Sequence, residues 1–73
     1  MLGQTDVMKF TLNGEVCSLP TGITIREMLR NLELDEGAVA IERNRQIVGR
    51  EQWNGTVVRA DDRIEIVHFV GGG

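Results

Sequence analysis

Ile64-Glu65-Ile66-Val67-His68-Phe69-Val70-Gly71-Gly72-Gly73 closes the sequence, and its reading decides the rest. β-Branched and aromatic residues make Ile64 to Val70 the most strand-prone segment of the chain. Ile64 and Ile66 fall on one face of that strand; Glu65, Val67 and Phe69 fall on the other. Three glycines follow. They cannot pack a core, and they cost ordering entropy wherever they are fixed. At average glycine usage such a run at one place arises only ~3 times in 10,000, so it calls for a reason. Without Cβ atoms the peptide can thread a narrow channel in another protein and present its carboxylate there. The strand would hold the base of this tail rigidly while its tip stays free. A frayed or engineered tail is the plain alternative.

Working back from that strand, the start of the chain supplies its partner. Met8, Phe10 and Leu12 alternate with Lys9 and Thr11, the period of a strand with one face buried. Asn13-Gly14 is the signature of a two-residue hairpin, because both residues tolerate positive φ. Glu15 to Leu19 returns as the second strand, and Pro20-Thr21-Gly22 ends it. Thr24-Ile25-Arg26-Glu27 reads as a capping box. Behind it, Ile25, Met28, Leu29 and Leu32 form a stripe only two turns long, with Arg26, Glu27, Arg30 and Asn31 turned outward. A helix this short needs a sheet to lie on. Gly37 is the expected end of that segment.

Ala38 to Glu42 is a short strand, Arg43-Asn44-Arg45 a turn, and Gln46 to Val48 a strand pairing back. Gly49 to Gly55, around Trp53, is irregular; Thr56 to Val58 is a weak strand or loop, and Asp61-Asp62-Arg63 a turn. The order is hairpin, helix, short strands, long last strand. A last strand of this kind lands beside the first and runs parallel to it, with the helix across one face. The fold class expected is therefore α+β, a β-grasp with a mixed sheet of about four to five strands and one helix. Residues 1–7 read as a flexible extension, 8–70 as the single domain and 71–73 as the tail. Met8 offers a second start besides Met1.

Seventy-three residues leave room for one domain, and 41% apolar residues suffice for one core. A formal charge of −3 argues against nucleic acid as a partner. No apolar run is long enough to span a bilayer, and none reads as a signal peptide. One cysteine and one histidine leave no disulfide framework and no Cys/His metal set. The expectation is a small, acidic, cytoplasmic protein without a metal and without a deep cleft of its own.

Other candidate residues read as structural. Cys17 lies in the second strand as a small hydrophobe, with no helix N-terminus or basic residue beside it in the sequence. His68 sits at the rim of the last strand. Trp53 is a lid over the core edge, Asp61-Asp62 a surface turn pair, and Arg43, Arg45 and Arg50 a solvated basic cluster. Chemistry therefore concentrates in the tail. A carboxylate is a poor electrophile until it becomes a mixed anhydride with AMP; a sulfur nucleophile can then displace AMP. The chain has no phosphate-cradling loop followed by a helix, so a partner would perform the adenylation.

With these features the sequence resembles the ThiS family of sulfur carriers in thiamine biosynthesis. The resemblance runs from Met8 to Gly73. It rests on Leu12-Asn13-Gly14-Glu15, Thr24-Ile25-Arg26-Glu27-Met28-Leu29 and Val39-Ala40-Ile41-Glu42-Arg43-Asn44. It continues through Val48-Gly49-Arg50 with Trp53, and Asp62-Arg63-Ile64-Glu65-Ile66-Val67 running into Val70-Gly71-Gly72-Gly73. The resemblance implies a ubiquitin-like β-grasp that is a protein co-substrate, not an enzyme. It implies that Gly73 is adenylated by a ThiF-type adenylyltransferase, which uses ATP and Mg, and becomes a thiocarboxylate. Gly71 and Gly72 would thread the partner site, and the sulfur would come from a sulfurtransferase or a cysteine desulfurase. Thiazole synthase, ThiG, would receive it; no cofactor is bound by the chain itself.

Glu65, Val67 and Phe69 are the expected partner interface, because the strand that carries them must present the tail. The rival within the same mechanism is the MoaD family, small subunits of molybdopterin synthase with the same fold and a Gly-Gly end. A ubiquitin-like interaction module with an inert tail is the rival from another class.

Overall fold

The computed structural model describes residues 6–69 and shows a five-stranded sheet with one helix across it. Strands β1 (Val7–Leu12) and β2 (Glu15–Pro20) form the hairpin. Helix α1 (Ile25–Asn31) follows, then β3 (Val39–Arg43), β4 (Gln46–Val48) and β5 (Arg63–His68). The strand order is β2-β1-β5-β3-β4. β5 lies in the centre, parallel to β1 and antiparallel to β3. This is the β-grasp arrangement expected from the order of elements.

Local chemistry sets each boundary. Asn13 and Gly14 both take positive φ, 49° and 84°, and close the β1–β2 hairpin between Leu12 and Glu15. The capping box is present: Glu27 N–H donates to Thr24 Oγ1 at 3.1 Å, and Thr24 N–H donates to Glu27 Oε1 at 2.9 Å. β1 begins at Val7, not Met8. Val7 pairs with Pro20, and Thr21 N–H donates to the Asp6 carbonyl, so the hairpin register draws Val7 into the sheet.

The helix also stops earlier than Gly37. Glu33 takes φ 59°, its N–H donates to Arg30 O, and Leu34 N–H donates to Leu29 O. This is a Schellman stop with glutamate where glycine is usual, and Leu34 packs back on the core. Gly37 belongs instead to a single 3-10 turn, Glu36–Ala38, capped by Asp35.

The core fills the space between sheet and helix. Met8, Phe10, Leu19, Ile41, Ile64 and Ile66 rise from the sheet to meet Ile25, Met28 and Leu29. Trp53 is 2% exposed and lies within this core instead of covering its edge; its indole N–H donates to Val48 O at 3.0 Å. Arg26 and Arg50 place their guanidinium carbons 5.9 and 5.5 Å from the Trp53 ring centre. Glu36 draws Arg26 and Arg30 together at 3.4 and 3.7 Å, as ion pairs without aligned hydrogen bonds at Arg26 Nε. Cys17 is half-buried against the core.

Met28 has no exposed surface, so Met28→Ala should lower the unfolding free energy by about 2–5 kcal/mol in urea titrations. A loss below about 1 kcal/mol would mean that the helix is not seated on the sheet as described.

Candidate functional site

The site suggested by the sequence is the exit of β5, and the sheet register shows how it is built. Odd-numbered β5 residues direct their main chain to β3. Asn44 N–H donates to Arg63 O, and Phe69 N–H donates to Ala38 O, each at 2.8 Å. Even-numbered ones face β1, where Thr11 N–H donates to Asp62 O and Asn13 N–H to Ile64 O. β1 then turns away at Asn13. The Asn13 side chain takes over from the ladder: its Oδ1 accepts from Ile66 N–H at 2.8 Å, and its Nδ2 donates to Ile66 O at 3.4 Å. Sequence reasoning gave Asn13 only a turn role. The pairing joins residues 53 apart and leaves no local pattern to read.

The side chains of β5 divide between two faces. Ile64 and Ile66 are buried, while Glu65, Val67 and Phe69 are exposed on the face away from the helix. Val67 is 52% and Phe69 60% exposed, and Val67 lies opposite Ala40 of β3. Glu65 lies opposite Glu42, two like charges side by side on the same face. The exit thus offers an apolar patch bordered by two carboxylates. His68 is exposed at the rim. Gly71, Gly72 and Gly73 lie outside the described residues.

The opposite end of β5 corrects two expectations. Asp62 is 6% exposed, not a surface turn residue. Its carboxylate accepts from Arg43 Nε at 2.7 Å, Arg59 N–H at 2.8 Å and Asn44 Nδ2 at 3.1 Å. Burial alone would raise its pKa; the hydrogen bonds from Arg43, Arg59 and Asn44 and the charge of Arg43 outweigh it and hold the carboxyl below its ordinary value. Arg43 is therefore committed to this pair and does not join Arg45 and Arg50 in a solvated cluster. Arg50 leans on Trp53 and donates to Glu36 O at 3.0 Å. The signal lay in the spacing of Asp62 and Arg43 across two strands, which only the fold brings together.

Among the described residues no three His, Cys, Asp or Glu side chains converge as metal ligands, and no helix is long and apolar enough to cross a membrane. A surface groove of about 540 Å³ lies between Val7–Lys9, Thr21–Gly22 and Val57–Ala60, by the start of β1. β5 runs parallel to β1, so its exit is at the other end of the sheet.

A sequence model of the ThiS family matches residues 7–73. This chain belongs to the ThiS family. The sulfur carrier protein ThiS of Escherichia coli is 32% identical over 66 residues, covering 90% of this chain and all of that protein. The Bacillus subtilis sulfur carrier ThiS is 44% identical over 50 residues, 68% of this chain and 76% of its own length. The crystal structure of a Geobacter metallireducens thiamine biosynthesis protein, ThiS, superposes with a TM-score of 0.79 at 29% identity, over 90% of this chain and all of that one. A thiazole synthase of Magnetococcus marinus is 42% identical over 66 residues, 90% of this chain but 20% of the synthase. The chain thus spans about a fifth of the length of that relative.

The depressed Asp62 pKa gives a test with a definite sign. Stability from this carboxylate is complete above the unfolded-state pKa near 3.8 and is lost as pH falls through the lower folded value. Asp62→Asn should cost on the order of 2 kcal/mol at neutral pH, where three donors lose their anion. The gap to wild type should close in acid. Urea titrations showing a constant gap from neutrality to about pH 2 would contradict the assignment.

Proposed function

We propose that this ThiS-family chain is a sulfur carrier for thiamine biosynthesis and that the Gly73 carboxylate is its working group. The observation that carries this reading is the placement of β5. The strand is locked in the centre of the sheet by both neighbours and emerges beside exposed Val67 and Phe69, four residues short of Gly73.

The chemistry divides between chain and partner. A ThiF-type adenylyltransferase supplies ATP with Mg, and a Gly73 carboxylate oxygen attacks the α-phosphorus as pyrophosphate leaves. The terminal sulfur of a persulfide on a sulfurtransferase or cysteine desulfurase attacks the acyl carbon and expels AMP; a thiol then reduces the resulting acyl disulfide, leaving the Gly73 thiocarboxylate and a disulfide on the donor. The chain's own part is to bind and orient. Gly71 and Gly72 add no Cβ atoms to a narrow channel, and the β5 face docks on the partner. Phe69 and Val67 provide the apolar anchor of that interface, since aromatic side chains dominate binding energy. Glu65, beside Glu42, and the net charge of −3 suit a basic rim and act mainly on the association rate. Thiazole synthase is the proposed acceptor; support comes from the Magnetococcus synthase, which carries a segment like this chain within its own.

Two variants test the reading. Gly72→Phe should abolish adenylation while leaving the thermal midpoint unchanged; a large loss of stability would mean that the tail packs on the domain. Phe69→Ala should raise KM for the adenylyltransferase about tenfold at constant kcat. Unchanged kinetics would remove Phe69 from the interface.

A further inference from the structure

The β1–β5 ladder ends at a defined place. β1 pairs with β5 through Leu12↔Ile64, and the Asn13 carboxamide covers Ile66 on both its N–H and its C=O. The alternation along β5 then turns the main chain of His68 to that same side, as it does for Asp62, Ile64 and Ile66. No β1 residue pairs there, because the chain has turned at Asn13-Gly14 into β2. On the opposite side Phe69 N–H is bonded to Ala38 O, so β3 still supports the strand at this level. β5 therefore presents a one-sided edge at His68, held in extended form by β3 and opened by the departure of β1.

We propose that this edge is where an extended segment of the adenylyltransferase adds to the sheet, its main chain pairing with the N–H and C=O of His68. The inference rests on the carrier reading above. The occupant follows from reach: Gly73 lies five residues beyond His68, which span at most about 18 Å. An enzyme that encloses the Gly73 carboxylate lies against this stretch, and strand addition at an open sheet edge is a recurring way to satisfy the amides of an extended peptide. Asn13 sets the register. By occupying Ile66 it keeps the incoming segment from pairing deeper, so the first main-chain bond falls at His68 and fixes how far the tail extends. His68 needs no particular side chain for this role; only its amide is used.

Amide hydrogen exchange, read by NMR on the chain alone and with the adenylyltransferase and ATP, tests the proposal. The His68 amide should exchange fast in the free chain and slow by about tenfold or more in the complex. The Phe69 amide, bonded to Ala38 in the free chain, should be protected in both states and serves as the internal reference. A semisynthetic chain with an ester in place of the Val67–His68 amide should keep its fold and kcat while KM rises about three- to tenfold. If Gly73 is adenylated yet the His68 amide is no slower in the complex and the ester leaves KM unchanged, the edge proposal falls and the carrier reading stands. If an adenylyltransferase active on another carrier leaves Gly73 unmodified, both fall together.

Discussion

The pairing of β5 between β1 and β3 is the contact on which the rest of the molecule depends. It brings the last strand against the first, across a separation of 53 residues at Asn13 and Ile66, and closing such a loop is costly until the pairing is complete. Two asparagines in left-handed conformation fasten the strand from opposite sides. Asn44, at φ 53°, accepts from Arg63 N–H at 2.9 Å and donates to Asp62, fixing the start of β5 on the β3 side. Asn13, at φ 49°, fixes its end on the β1 side. Both are turn residues whose side chains replace a missing main-chain partner, so the hairpins and the central strand are set by the same two residues.

With β5 locked, the two faces of the sheet take different work. One face holds Ile64 and Ile66 against the helix and, with Trp53 and Met28, supplies the core of a domain near the lower size limit for folding alone. The other face is left to Val67, Phe69 and the paired carboxylates of Glu65 and Glu42. Large exposed apolar side chains and opposed like charges are both unfavourable in a free monomer. Val67 and Phe69 stand beside the strand exit, while Val7, Val16 and Ile47 are exposed on β1, β2 and β4. The tightly bonded Arg43–Asp62 pair lies at the other end, where it stiffens the strand far from the tail.

The elements whose cause is local were legible in the sequence. Asn13-Gly14, the Thr24–Glu27 box, the Ile25-Met28-Leu29 stripe and the alternation of Ile64 to Phe69 each carry their own signal, and their order is enough to place β5 beside β1. What escaped is held by contacts distant in sequence. Asp62 looked like a surface residue because its three donors come from Arg43, Asn44 and Arg59. Trp53 looked peripheral because its burial depends on Val48 O, which its indole N–H reaches, and on Arg26 of the helix, which packs over its ring. Glu33 stops the helix in a conformation where glycine is the usual signal, so the sequence pointed to Gly37. Val7 joined the sheet through its register with Pro20, which no property of the first residues announces. At the site, the outward face of β5 could be read from alternation alone, whereas the bonding of Asn13 to Ile66 required the register.

The proposed work of this fold is to hold out a carboxylate for sulfur transfer. It is tested most directly by the mass of the isolated C-terminal peptide after incubation with ATP, a ThiF-type adenylyltransferase and a sulfur donor. Isolating that peptide keeps oxidation of the three methionines, which adds a nearly equal mass, out of the measurement. The account predicts exchange of one Gly73 carboxylate oxygen for sulfur. An unmodified Gly73, with the same enzyme active on another carrier, would contradict it.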